Sequence, residues 1–264
     1  MSISMRLLKS ILRINPAGIL HVGAHTGEEH SQYKKLGWLK TEKVIWVEAI
    51  EELSIKLLES IPEAERYVLN ILAWDTDDDE IKFNLTSNLA SSSALTFGSH
   101  EIDYPEIFVE KQVMLRTSRL DSVLTAEMRF NFMVLDVQGT ELQVLRGLGH
   151  QLKNVKWIVS ECHSQDVYKG GSHVFDLDLF LKSHGFKRRI TEWNSIGGWG
   201  DALYLKEDGM TRMQRIKIKV EIGIYKFLKP ALYFYSVYLQ IRANYHFLAN
   251  LRSNLHRMYL SLRS

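Results

Sequence analysis

Short apolar runs alternate along the chain with stretches of helical spacing. Ile19–Val22 reads as a buried strand, and 28–36 as a helix with Tyr33 and Leu36 on one face. A second strand, 44–47, ends at Glu48; a helix from Glu51 stops near Pro62, and 67–72 reads as a third strand. Strand–helix alternation at this spacing predicts right-handed crossovers and a parallel sheet. The pattern then changes. An acidic turn, 75–80, is followed by two extra strands at 81–85 and 113–117 that flank a polar loop, SNLASSSAL. Alternation resumes with strands at Phe132–Leu135, 155–160 and 186–190 and helices at 139–147 and 174–184. Gly197-Gly198-Trp199-Gly200 predicts a tight turn, so the late strand 202–205 returns antiparallel. The expected architecture is an open, doubly wound, mostly parallel α/β sheet of about seven strands.

Composition narrows the setting. The chain has 264 residues, 45% hydrophobic and 24% charged, which suits one globular domain with an appendage. A single cysteine, Cys162, excludes an intrachain disulfide and makes a reducing, cytoplasmic setting the expectation. The apolar runs of the first eighteen residues are broken by Arg6, Lys9 and Arg13, too short and too charged for a signal peptide, and predict a short helix. The net charge of +2 hides an asymmetry: residues 206–264 hold 11 Lys and Arg against 3 Asp and Glu, and the rest hold 22 against 28. A mildly acidic body is a poor partner for DNA or RNA, so no nucleic acid is expected.

The turn after the first strand reads GAHTG. In open α/β sheets ligands sit beyond the carboxyl ends of the strands, where Gly23 and Gly27 would lie. A dinucleotide fingerprint needs a glycine two residues after the first, so that backbone can approach a pyrophosphate. His25 stands there instead. The turn suits a ligand whose carboxylate takes hydrogen bonds from turn N–H groups beside a helix start. Glu48, 21 residues after Gly27, can accept hydrogen bonds from both hydroxyls of a ribose. Together they point to S-adenosylmethionine; the plainer reading is a tight βα turn and a solvated strand-end acid.

A second constellation lies in NFMVLDVQGTELQVLRG. Asp136 ends a buried strand, Gln138-Gly139 turn the chain and Glu141 opens a helix. The following strand ends in Glu161-Cys162-His163. Asp136, Glu161 and His163 are therefore expected on one rim, as catalytic candidates. His163 or Asp136 would take a proton from a hydroxyl nucleophile. Cys162, facing the other way, packs. The three polar residues offer metal ligands, yet no tight ligand motif accompanies them, and no metal is expected. The serines 91–93 are expected in a loop over the site.

Residues 18–205 resemble the FkbM-type methyltransferases. The resemblance rests on VGAHTG, WVEAI, NILAWD, SNLASSSAL, TSRLDSV, LDVQGTELQVLRG and WGDALYL, in that order. It implies a class I methyltransferase fold, seven strands with the last antiparallel, and S-adenosylmethionine-dependent methylation of a hydroxyl. The expected acceptor is a saccharide or glycosylated metabolite. It also implies that Gly23, Ala24, His25, Thr26 and Gly27 line the methionine end, that Glu48 holds the ribose, and that Ala73, Trp74 and Asp75 lie near the adenine. His21 and Gln138 stand where many members carry acids. Two other readings remain: a nicotinamide-dependent oxidoreductase on a Rossmann sheet, and a non-catalytic partner subunit that keeps the fold.

The methyltransferase domain is expected over 1–206, followed by a basic helical tail over 207–264. From Arg242 onward the tail is two-faced. Phe247, Leu248, Leu251, Leu255, Met258 and Leu262 share one side, and Arg242, Arg252, Arg257 and Arg263 the other. Its longest uncharged run, 230–241, falls short of the ~20 residues a spanning helix needs. Such a tail packs on the body or on a second copy, or lies peripherally on the inner face of an anionic membrane.

Overall fold

The computed structural model describes residues 3, 5–39, 44–61, 64 and 67–230. After a first helix, α1 (Met5–Ile11), the chain runs β1 (Ile19–Val22), α2 (His30–Lys35), β2 (Val44–Glu48), α3 (Glu51–Ser60) and β3 (Val68–Asn70). An excursion follows: β4 (Leu72–Trp74), β5 (Glu80–Thr86), α4 (His100–Asp103), β6 (Val109–Arg119) and α5 (Leu120–Val123). The chain then returns through β7 (Phe132–Leu135), α6 (Glu141–Gly147), β8 (Trp157–His163), α7 (Val174–Ser183), β9 (Phe186–Trp193) and β10 (Trp199–Lys206), and α8 covers 212–230.

The main sheet has seven strands in the order β3-β2-β1-β7-β8-β10-β9. It is parallel except for β10, which runs antiparallel to β8 and β9. Side chains alternate between two cores, as the pleat requires. Ile19, Val44, Trp46, Phe132, Val134 and Val159 face one side, with Tyr33, Trp38 and Leu57. Leu20, Val22, Ile45, Val47, Met133, Leu135 and Ile158 face the other, with Val144, Leu177 and Leu181. With both faces covered, the central strands read as nearly continuous apolar runs.

The expected third strand, 67–72, is in fact two. Val68–Asn70 pairs with β2, whereas Leu72–Trp74 leaves the main sheet and pairs with β6, which also pairs antiparallel with β5. Asn70 pins the break: its amide donates to the Glu48 carbonyl (2.8 Å) and to the Ser54 hydroxyl (3.2 Å). β8 starts two residues later than the expected 155 and carries Glu161, Cys162 and His163 as paired strand residues, opposite Asp201, Gly200 and Trp199 of β10. Within α8, Ile222 and Tyr225 join the first core. The two-faced segment from Arg242 lies outside the described residues.

Candidate active site

Strand order reverses at β1, which lies between β2 and β7, so the carboxyl ends of these three strands frame a crevice. Gly23, Glu48 and Asp136 stand at those ends. Gly23 has φ +79°, and a Cβ there would sit 1.7 Å from the Asp136 carbonyl oxygen. Only glycine permits this approach of β1 to β7. Its N–H and that of Ala24 both donate to the Val47 carbonyl (2.9 and 3.0 Å), which folds the turn across β2. His25 also adopts a positive φ, +48°. Its N–H donates to Glu48 Oε2 (2.8 Å), while the Ile50 N–H donates to Oε1 (2.8 Å). The Glu48 carboxyl is thus held by two backbone groups at the crevice wall. Burial raises its pKa, and the N–H groups of Ile50 and His25 oppose the rise.

The first cleft, of about 660 Å³, is lined by Gly23, His25 and Glu48 on one side and Asp136 and Gln138 on another. Its far end is apolar, formed by Ile50, Leu53, Leu72, Ala73 and Phe83. Of the residues singled out for the cofactor, Gly23, His25, Glu48 and Ala73 line it. Ala24 is buried in the core beside it. The Thr26 hydroxyl donates to Glu28 (2.9 Å), and Gly27 packs close to Ile61 and Leu57. Trp74 packs behind that apolar end, with Ile50, Leu53 and Phe83; the Asp75 carboxylate lies 3.8 Å from Arg146, and its carbonyl accepts from Arg119 (2.6 Å). His21 turns into the core. Its Nδ1 lies 3.1 Å from the Tyr33 hydroxyl and its ring 5.2 Å from Trp46. Burial lowers its pKa to about 3, so it is neutral.

A second cleft, of about 780 Å³, adjoins the first and shares Asp136, Gln138 and Ala90 with it. Glu161 and His163 line it, so the structure brings Asp136, Glu161 and His163 to one wall. Gln138, at φ +55°, ties the wall together. Its Nε2 donates to Asp136 Oδ1 (2.6 Å) and Glu161 Oε2 (3.1 Å), and its Oε1 accepts from the Tyr168 hydroxyl (2.6 Å). Burial and the Asp201 charge push the Asp136 carboxyl up to about 6. Burial and the charges of Asp136, Glu141 and Asp201 raise Glu161 well above the usual range. Two carboxyls so close retain a proton between them near neutral pH.

His163 is 2% exposed, and burial lowers its pKa to about 4 against the opposing hydrogen bond to the Ser172 backbone. The ring is a neutral imidazole. Its Nε2 lies 3.7 Å from Glu161 Oε2 and has no hydrogen-bond partner, which leaves a buried polar atom at the cleft wall. Cys162 points to the opposite core, where burial raises its thiol pKa.

Of the rest of this cleft, the sequence reading expected only the serines 91–93 over the site. Ser91, His100, Tyr104, Tyr168 and Trp199 complete it, gathered from the excursion, from the loop after β8 and from β10. No motif links them; Gly197-Gly198 marked the turn before Trp199 without disclosing its use. The serines 91–93 are buried and fastened: Ser93 Oγ donates to the Gln138 carbonyl (2.8 Å), and the Ser91 carbonyl accepts from Tyr168 (3.2 Å). Among the described residues, no group of three or more His, Cys, Asp or Glu is placed to hold a metal ion.

Residues 21–188 match the model of the methyltransferase FkbM domain. The chain belongs to the FkbM methyltransferase family. The match spans the FkbM domain from β1 into β9, both clefts included except Trp199. Among solved structures, an FkbM methyltransferase from Methylobacillus flagellatus KT is 14% identical, with a TM-score of 0.46 over 72% of this chain and 43% of that one. This chain therefore spans less than half the length of that protein. A magnesium protoporphyrin IX methyltransferase from Synechocystis PCC 6803, solved with bound SAM, is 10% identical (TM-score 0.41; 76% and 74% of the two chains). A SAM-dependent methyltransferase from Aquifex aeolicus is 12% identical (TM-score 0.39; 76% and 87%). No curated protein matches the chain.

Proposed function

We propose that this FkbM methyltransferase uses S-adenosylmethionine to methylate a hydroxyl of a saccharide or glycosylated metabolite. The observation that carries the reading is the unpartnered Nε2 of buried, neutral His163, on the wall of a cleft that meets the Glu48 cleft across Asp136 and Gln138.

The first cleft fits the cofactor. Gly23 leaves room for close backbone approach, Glu48 presents a fixed carboxyl suited to ribose hydroxyls, and the apolar end formed by Leu72 and Phe83 suits adenine. A dinucleotide fits less well, because His25 occupies the place of the pyrophosphate-binding glycine. When bound, the cofactor supplies an electrophilic methyl on a positively charged sulfur that leaves as a neutral thioether. The chain's own part is alignment and proton removal. His163 Nε2 accepts the hydroxyl proton. The imidazolium so formed is balanced by the negative charge that Asp136 and Glu161 share. Tyr104 and Trp199, joined by a hydrogen bond from Trp199 Nε1 (3.2 Å), offer aromatic surface for a sugar ring.

Comparing glycans with and without the gene for a missing methyl identifies the acceptor. With it, kcat/KM of the wild type should fall as pH drops through about 6, where Asp136 takes up a proton; His163, lowered to about 4, stays the free base there. Asp136→Asn should lose that limb. His163→Asn should cut kcat by about 100-fold or more and leave S-adenosylhomocysteine affinity unchanged. Wild-type turnover in His163→Asn would move the base elsewhere.

A further inference from the structure

The outer face of α8 is apolar. Met213, Ile216, Val220, Ile224 and Phe227 recur at three- and four-residue spacing, a stripe roughly 60–80° wide at about 100° per residue. The stripe is open to solvent, with Met213 73% and Phe227 80% exposed. The opposite face is already used: Ile222 and Tyr225 are buried in the first core, and Lys229 pairs with Glu192 of β9. The helix is therefore anchored, and its apolar stripe points away from the body.

We propose that this stripe docks the protein in the plane of an anionic lipid surface. Charge selects that occupant over a second copy. Residues 212–230 hold six Lys and Arg and one Glu, and Arg212, Lys219 and Lys226, seven residues apart, form a row along one flank of the stripe. Stacking this face antiparallel on its own copy would bring two such basic rows together, and in either orientation it would oppose two segments of excess positive charge, whereas an anionic bilayer accepts both the apolar stripe and the charge. The 34 residues that follow carry four more arginines and no Asp or Glu, which extends the same charge. No described helix is long and apolar enough to cross a membrane. The pair between Lys229 and Glu192 puts the end of α8 beside the carboxyl end of β9, the sheet edge where the second cleft opens.

The test is co-sedimentation of the full chain with vesicles of phosphatidylglycerol and phosphatidylcholine, against phosphatidylcholine alone, with size measured in parallel. Binding should require the anionic lipid and weaken with salt. Val220→Asp with Phe227→Asp, both at exposed positions, should keep the wild-type melting temperature and lose roughly tenfold or more in vesicle affinity. Three results would overturn the proposal. The wild type stays in the supernatant. The folded double variant binds as well as wild type, which assigns binding to 231–264. Or the wild type is a dimer that the double variant dissociates, which gives the face to a second copy.

Discussion

At the scale of single residues, the site depends on backbone conformations that side chains resist. Gly23 at φ +79° lets β1 and β7 close on each other, and no other residue fits beside the Asp136 carbonyl. Gly23→Ala should cost at least about 1–3 kcal/mol from its φ alone, and more from the clash. Denaturant unfolding reads this directly, and an unchanged midpoint would contradict it. His25 and Gln138 tolerate the same region because each is tied down. The His25 N–H holds Glu48, and the Gln138 amide is held by Asp136, Glu161 and Tyr168. An amide donates to both carboxyls; a third acid at this position would add charge to a wall already short of partners. Gln138 is thus a fitting residue for this wall, which its departure from the family pattern did not disclose.

At the scale of elements, the turn between β7 and α6 is built around Glu141. This fully buried carboxylate accepts from the N–H groups of Val137 (3.3 Å) and Gly139 (3.1 Å) and from the Ser172 hydroxyl (3.2 Å), which fixes Gln138 between them. Glu141→Ala strands those donors and should destabilise by about 1–3 kcal/mol. Glu141→Gln retains an acceptor oxygen and should lose clearly less. Equal losses would contradict this, since glutamine keeps the volume and one acceptor, and would place the whole effect in the second carboxylate oxygen. The sequence reading placed Glu141 at a helix start but missed this role, since a buried carboxylate folding back on its own turn leaves no periodic trace. The central strands β1, β2 and β7 were legible for the opposite reason: burial on both faces makes them apolar runs bounded by turn residues. The divided third strand was not, because 67–72 stays apolar while its pairing partner changes from β2 to β6. Gly23, Glu48, Asp136, Glu161 and His163 could be placed because each ends a legible strand. Ser91, His100, Tyr168 and Trp199 belong to loops or to a late strand, and only the folded excursion gathers them.

At the scale of the whole molecule, the two cores hold titratable groups that burial keeps neutral. His21 is the clearest case, lowered from 6.5 to about 3. Below pH 6.5 the unfolded chain takes up a proton at this histidine and the folded one does not, so its contribution to stability is lost as pH falls. Asp136 and Glu161, whose pKa values are raised, act in the other direction, so the histidine must be isolated by substitution. Between pH 7 and pH 5 the wild type should lose about 2 kcal/mol more than His21→Gln. Denaturant unfolding at the two pH values checks this; equal losses in both proteins would place His21 in contact with solvent.

The measurement that bears most directly on the central claim is calorimetric titration of the full chain with S-adenosylhomocysteine and, separately, with NAD. The wild type should bind S-adenosylhomocysteine and not NAD. Glu48→Ala, which removes the carboxyl that the His25 and Ile50 N–H groups hold at the cleft, should weaken that binding by about 1–3 kcal/mol. Unchanged affinity in a folded Glu48→Ala would remove Glu48 from the cofactor site. No affinity for S-adenosylhomocysteine in the wild type, or tighter binding of NAD, would contradict the assignment of the cleft itself.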